Sequence, residues 1–400
     1  MMKKKRRYII LVLSTLAVLL LIALGIIGYQ MGFHEFFVRS QNQIAFSFYG
    51  KTVNPHVIKG EKHELYLKAC LDEVTGNQLL WSYSDTEAAK ADAQKNVEAT
   101  LALIDTLHQH GTKFLFVFCP TKPAVYPEYL PKSYRDNLSD FSLAEYYIEL
   151  FQEKDIPHID FYHHFQNIKG SFPYPLYTRT GSHWAESTIP FVADSILRKL
   201  ETISDYRFPS ISIIDLNLTN DYSIQDIELE PGLNLLFPLS KPKVPRPIFA
   251  LNDTIGKDRP NLLVVGDGYF TQFCHSCFVD AFNRWDFWMY NRDIYSSRPK
   301  YHWKHLDMIF DAAQVLEEAD IVLVIYTSNY LYKYMNGFVQ SAQELYQNGC
   351  TGDQEAIAII IERIKNNPEW FQAIEQQAKE RGLTTEENLY ENAEYVLKNQ

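Results

Sequence analysis

Leu262-Leu263-Val264-Val265-Gly266-Asp267-Gly268-Tyr269-Phe270 decides the fold: four apolar residues run into Gly-Asp-Gly and then into an aromatic pair. A short run that is apolar on both faces is what a buried strand of a parallel sheet requires. The Gly-Asp corner turns that strand sharply into a following helix. Gly268, at the tip, carries no side chain, so any chemistry at the corner must come from other groups.

Outward from this stretch the pattern repeats. Phe114-Leu115-Phe116-Val117-Phe118-Cys119 is a second strand apolar on both faces, Ile156 to Phe161 a shorter one, and Ile321 to Tyr326 a fourth. Between them lie helical patterns: Ser84 to Glu87 reads as a capping box, and Val97, Leu101, Ile104 and Leu107 recur at helical spacing up to Gly111. Phe141 to Phe151 and Thr188 to Leu200 are also amphipathic. An irregular interval rich in Pro and Asn separates Leu200 from Leu262. Buried strands alternating with helices predict an α/β fold with a doubly wound parallel sheet. Ligands of such sheets bind beyond the carboxyl ends of the strands, where the loops after Cys119, Val265 and Tyr326 should meet.

The chain ends differ from this middle. Lys3, Lys4, Lys5, Arg6 and Arg7 precede an apolar stretch from Tyr8 to Ile27, about the length a helix needs to cross a bilayer core. Cations before such a stretch keep the N-terminus in the cytoplasm. The expectation is an uncleaved single-pass anchor over residues 1–30 in the inner membrane, with an extracytoplasmic or periplasmic domain over 31–345. Ala23-Leu24-Gly25 leaves a cleaved signal peptide as the rival reading. Residues 346–400 read as a helical extension, with Asn367 as N-cap and Gly382 as stop, and with Trp370 and Tyr395 as packing anchors against the sheet or a partner.

Charge narrows the partners. The 400 residues carry a net charge of −11, and setting aside the five N-terminal cations leaves −16 for the rest. Nucleic acid is disfavoured, because phosphate binding needs a basic face. The five cysteines include Cys274-His275-Ser276-Cys277, but no second Cys pair completes a zinc set. The pair reads as packing on the helix after the corner, and the reading calls for no metal and no cofactor.

Chemistry gathers around one histidine. Thr178-Arg179-Thr180-Gly181-Ser182-His183-Trp184 stands just before a helix. An imidazole takes a proton near neutral pH, and a strand-turn-helix corner offers backbone N–H groups to an oxyanion. His183 with the Gly268 corner is therefore the candidate catalytic pair.

At these residues the chain resembles the SGNH-hydrolase-like domain of the AlgX/AlgJ alginate O-acetyltransferases and related polysaccharide acetylation systems. The resemblance rests on Phe-Cys-Pro-Thr-Lys-Pro-Ala-Val-Tyr-Pro-Glu-Tyr-Leu-Pro (Phe118 to Pro131), on His183-Trp184, and on Gly-Asp-x-Tyr at Gly266 to Tyr269, and it covers roughly Lys59 to Asn329. It implies an extracytoplasmic protein that receives acetyl groups delivered by a membrane-bound O-acyltransferase and places them on hydroxyls of an exopolysaccharide or envelope glycan. It also implies a triad, from which this chain departs twice. The Asp two residues before the His is here Gly181, and the nucleophilic Ser is here Gly268.

The candidate catalytic residues are accordingly His183, Asp267 and Gly268, with Asp267 either orienting His183 or capping the turn before Tyr269. Lys122, Tyr126, Trp184, Tyr269 and Asn329 are the candidate substrate-binding residues; packing is the competing account of the aromatic ones. Ser182, Thr271 and Ser276 are the nearby hydroxyls that could replace the serine. Two functions follow: an acetyltransferase-like member of a glycan O-acetylation system that works without the usual nucleophile, or a non-catalytic glycan-binding or scaffolding pseudoenzyme beside the O-acyltransferase.

Overall fold

The computed structural model describes residues 2–298, 304–306, 312–348 and 353–398. A short ribbon, β1 (Val57–Lys59) with β2 (Leu65–Leu67), precedes the first strands of the main sheet, β3 (Lys113–Cys119) and β4 (His158–Asp160). A second ribbon follows, β5 (Ser210–Thr219) with β6 (Val244–Asn252), and then β7 (Asn261–Gly266), β8 (Arg284–Met289), β9 (Asp293–Ser296), β10 (Lys304–His305) and β11 (Ile321–Thr327).

Seven strands form the main sheet in the order β10-β9-β8-β7-β11-β3-β4. The strands from β8 to β4 run parallel, whereas β9 and β10 join antiparallel at one edge. The sheet is thus mixed, and the expectation of a wholly parallel one is corrected there. The physical reason is local: Tyr290 and Asn291 adopt left-handed φ of 54° and 51°, which folds β8 straight back into β9 without a crossover helix. β11 lies inside the sheet between β7 and β3, and all seven of its residues are buried.

Alternation along β3 sorts the two cores. Phe114, Phe116 and Phe118 face the layer built on helices Thr86–Gln109, Leu143–Glu153 and Phe338–Asn348. Leu115, Val117 and Cys119 face the opposite layer, with Phe161–Ile168 and Ile189–Ile203. One strand therefore supplies both cores, as its period of two requires.

Three expectations need revision or a boundary. No long helix follows the Gly-Asp corner: a single helical turn, Gly268–Phe270, is succeeded by turns and by Cys277–Ala281. Ser276 explains the break, being extended and accepting from the Phe278 N–H with its hydroxyl, while Phe270, Phe273 and Phe278 all turn into the core. The tail helices Asp353–Asn366, Pro368–Arg381 and Thr385–Lys398 pack on one another around Ile360, Ile364, Ile374 and Leu389. Trp370 rests on that small core rather than on the sheet, and Tyr395 is exposed.

At the N-terminus a helix spans Met2–Met31, and a second, Phe33–Tyr49, begins past Gly32. Among the described residues no helix is long and apolar enough to cross a membrane. The side chains of residues 2–11, where the basic cluster lies and the apolar stretch begins, fall outside the described residues. The second helix docks through Phe46, which packs with Val57, Leu65, Leu229 and Leu233.

Candidate active site

His183 and Gly268 do meet at the carboxyl end of the sheet. A Cβ built on Gly268 would stand 2.9 Å from His183 Nε2. The imidazole base therefore faces the position where the corner lacks a side chain. Of the candidate residues, Asp267 and Tyr269 are gathered here as well, but with other duties.

Asp267 is buried and stitches the strand ends. Its carboxylate accepts from the N–H and hydroxyl of Thr327 and, at 3.0 Å, from the N–H of Tyr269. Burial pushes this carboxyl up, against the pull of those donors. It makes no hydrogen bond to His183 in the structure, so it caps the turn and joins β7 to β11. Tyr269 lies under the imidazole, ring centroids 4.8 Å apart, and its hydroxyl donates to Ser182 O at 3.0 Å.

The carboxylate that holds the base is Glu228, which the sequence reading missed. His183 Nδ1 lies 2.9 and 2.8 Å from its two oxygens, and Glu228 Oε1 also accepts from Ser182 N, Ser182 Oγ and His183 N at 2.7, 2.5 and 3.1 Å. Nδ1–H donating to Glu228 leaves Nε2 as the basic nitrogen. Burial pulls the imidazole down, but the Glu228 hydrogen bond and charge outweigh it, and its pKa rises above the ordinary 6.5. Glu228 moves the opposite way: burial pushes it up, and the donors of His183 and Ser182 bring it below 4.5.

Glu228 arrives from the Pro- and Asn-rich interval. A helical turn, Ile224–Ile227, opens with a capping box between Ser223 and Asp226, and Asp226 O accepts from Thr178 Oγ1 at 2.5 Å and Thr180 Oγ1 at 3.0 Å. This docking explains Gly181. A Cβ there would stand 2.3 Å from Gln225 O, so no side chain fits once the segment is seated. The absence of a side chain at Gly181 and the seating of the segment that carries Glu228 are thus one steric event. The Ser-x-x-Asp box was readable; nothing in sequence spacing pointed across 45 residues from Glu228 to His183.

Lys122 supports the histidine loop from beneath. It is buried at 1 % exposure, pairs with Glu64 at 2.9 Å, and its ammonium lies 2.7–3.3 Å from the carbonyls of Leu65, Thr178, Arg179 and Gly181. Burial lowers its pKa against the pull of Glu64. With these acceptors its donors are committed internally. Trp184 is wholly buried among Phe161, Phe165, Tyr269 and Phe273. Asn329 is buried and its carbonyl accepts from Gln78 Nε2 at 2.6 Å. Tyr126 lines a separate cavity, its hydroxyl accepting from the Leu176 N–H at 3.1 Å.

A second residue absent from the sequence reading completes the corner. Tyr290 places its hydroxyl 4.0 Å from the same Cβ position at Gly268, with the Gly268 N–H and the Tyr330 hydroxyl as its partners. It reaches there from the strained turn after β8, a rare φ for a bulky residue. Burial, then the negative charge of Asp267, push the phenol well above its ordinary value. Tyr290 is therefore a neutral hydrogen-bond donor rather than a phenolate nucleophile. Of the other hydroxyls, Ser182 is bound to Glu228, Thr271 Oγ1 donates to Gly268 O at 2.6 Å, and Ser276 Oγ donates to Phe273 O at 3.0 Å.

Residues 79–206 match the model of the family described as "SGNH hydrolase-like domain, acetyltransferase AlgX". The match takes in β3, Lys122, Tyr126 and His183, and ends before Glu228 and Gly268. No curated protein matches the chain. Among solved structures, the O-acetyltransferase domain of Pseudomonas putida AlgJ is 15% identical, covering 72% of this chain and 100% of that one at a TM-score of 0.45. Pseudomonas aeruginosa AlgX is 15% identical, covering 74% and 68% at 0.48. Bacillus cereus PatB1, in a form carrying a sulfonyl adduct, is 13% identical, covering 62% and 93% at 0.40.

Proposed function

We propose that this protein is a component of polysaccharide O-acetylation that moves an acyl group directly from an ester donor to a glycan hydroxyl, without an acyl-enzyme. The observation that supports this most is the His183–Glu228 pair, held by five hydrogen-bonding contacts and aimed at the Gly268 corner, where Nε2 stands 2.9 Å from where a Cβ would lie. A buried, hydrogen-bonded charge pair costs desolvation, and here its one open valence, Nε2, points at the corner.

The step balances with two substrates. Nε2 of His183 takes the proton of the glycan hydroxyl as its oxygen forms a bond to the ester carbonyl carbon. The carbonyl electron pair moves onto oxygen, and Tyr290 O–H turns from the Tyr330 hydroxyl to donate to that oxyanion, its own oxygen engaged by the Gly268 N–H. Collapse restores the carbonyl, breaks the bond to the donor alcohol oxygen, and returns the proton from Nε2 to that oxygen. Binding both substrates at one corner supplies proximity in place of a covalent intermediate.

The family match supports the glycan and the acyl group as the substrate classes. In this reading the N-terminal helix anchors the protein in the inner membrane, the bulk lies outside the cytoplasm, and a membrane-bound O-acyltransferase supplies the donor. Exposed Leu13, Leu16, Leu19, Ile22 and Ile26 along that helix support the anchor. A second reading, a non-catalytic glycan-binding or scaffolding subunit, is favoured by one fact: Gly268 offers no hydroxyl.

Acetyl transfer from p-nitrophenyl acetate to an oligosaccharide separates the two. Transfer by the parent that disappears in His183→Ala supports the enzyme. An inert parent whose Gly268→Ser variant gains His183-dependent activity supports the scaffolding reading instead.

A further inference from the structure

One helix of the molecule is amphipathic in the reverse sense. Along Phe33–Tyr49, the residues Phe33, Phe37, Ile44 and Phe48 fall within about 60° of one another around the helix axis. All four face outward, from 51 % exposed at Ile44 to 79 % at Phe48. A surface helix normally turns its apolar stripe to the core and its polar residues to water.

The opposite side holds the helix to the domain, largely through polar groups. Asn42 Nδ2 donates to Asn234 O at 3.1 Å, Gln43 Oε1 accepts from the Phe237 N–H at 3.1 Å, and Phe46 O accepts from Lys59 Nζ at 2.8 Å. Phe46 is the buried apolar residue of this helix and packs in the cluster with Leu229 and Leu233. The outward stripe takes no part in seating the helix. A contiguous exposed apolar surface of this kind marks an interaction site.

Three observations favour the bilayer surface as its cover. Continuity is the first: Phe33 follows the Met2–Met31 helix after Gly32, whose φ is 86°, and the Phe33 and Phe36 rings fold back on Gly28, 3.3 and 3.4 Å from where a Cβ would lie. With Tyr8–Ile27 in the bilayer core, the anchor reading on which this inference rests, Phe33 comes six residues later, about 9 Å along a helix. Headgroups add roughly 5–7 Å on each side of the core, so the second helix starts at their level. Composition is the second: phenylalanines in a stripe, with exposed Tyr49 at its end, are residues that the membrane interface takes in. Charge is the third, because residues 33–60 carry Arg39, Lys51 and Lys59 against Glu35, in a chain that is otherwise strongly acidic. Glu35 is itself bound to Arg39 at 2.7 Å, and a cationic segment is drawn to anionic lipid.

We propose that the helix Phe33–Tyr49 lies in the plane of the membrane surface, with Phe33, Phe37, Ile44 and Phe48 inserted among the lipids and its Phe46 side bearing the domain. The consequence reaches the active-site corner. Leu229, in the cluster with Phe46, is the neighbour of Glu228, and its N–H donates to Thr180 O at 3.0 Å in the histidine loop. The lipid-bound helix and the base are joined through one segment, which ties the position of the corner to the bilayer.

The test places the full-length protein in vesicles of phosphatidylglycerol and phosphatidylethanolamine that contain a phospholipid with a diazirine in one acyl chain. After irradiation, lipid adducts are mapped by mass spectrometry. They are expected within residues 8–27 and on Phe33, Phe37, Ile44 and Phe48. A Phe37→Glu, Ile44→Glu double variant should lower the adducts on 33–49 roughly tenfold while keeping those on 8–27 and the thermal midpoint. Adducts on 8–27 with none on 33–49 overturn the inference, point to a protein over the stripe, and leave the anchor standing. Adducts on neither stretch defeat the anchor and the inference with it. Adducts on 33–49 that the double variant leaves unchanged show contact that does not run through the stripe, and a fall in its midpoint shows the stripe packed on the protein; either overturns the inference.

Discussion

The two halves of the corner have been treated differently. On the histidine side, Lys122, Glu228, Thr178, Thr180 and Tyr269 fix one short loop through buried hydrogen bonds. On the strand side, Asp267 and Thr327 tie the backbone together, yet the tip carries no side chain. The support for a base is complete where the nucleophile is missing. Glu228, supplied from a segment 45 residues further on, holds the base in place.

Breaking the histidine side should have the largest effect. Lys122→Met leaves Glu64 and the loop carbonyls without their buried cation, and unfolding free energy should fall by about 3–5 kcal/mol in urea titrations. Unchanged stability would mean that the loop is held by something else. Next, His183→Ala should lower acyl transfer by roughly 10²–10⁴-fold, measured as kcat with the fold checked by circular dichroism. Gly181→Asp drives a side chain into Gln225 O, and should cost about 1–3 kcal/mol as the Glu228 segment is pushed away.

Smaller effects sharpen the same contrast. Glu228→Gln should move the ascending limb of the kcat/KM profile to lower pH, because the parent imidazole sits above 6.5 by virtue of that carboxylate. The signs for stability follow. A raised His183 contributes fully below 6.5 and loses its contribution as pH rises through its folded value; a lowered Glu228 contributes above 4.5 and loses its contribution as pH falls through its folded value. Both operate together between about 4.5 and 6.5, and Glu228→Gln should lose most stability there. Least of all, Tyr290→Phe should leave stability nearly unchanged and reduce kcat more than it raises KM.

Much of this architecture was legible in the residues. Lys113–Cys119, Asn261–Gly266 and Ile321–Thr327 announce themselves because a strand buried on both faces is apolar along its interior, with polar residues only at its ends. Gly268 was legible as the corner after a strand and His183 as a base in the loop before a helix; the chemistry that needs both, rather than a shared element, put them together. β8 and β9 were not read, since Arg284-Trp285-Asp286-Phe287-Trp288-Met289 mixes charge with aromatics. Glu228 and Tyr290 escaped for a deeper reason: each acts through tertiary docking of an irregular segment, and no period in the sequence encodes where such a segment lands. Lys122 and Trp184 looked like cleft residues by type, and their burial shows that they build the loop instead.

The central claim is that Glu228 holds His183 as a base facing the Gly268 corner. An NMR titration of the His183 imidazole in the parent and in Glu228→Gln tests it most directly. The account predicts a pKa above 6.5 in the parent, with the proton on Nδ1 in the neutral form, and a clear fall in the variant. A parent value at or below 6.5 that the substitution does not move would contradict it.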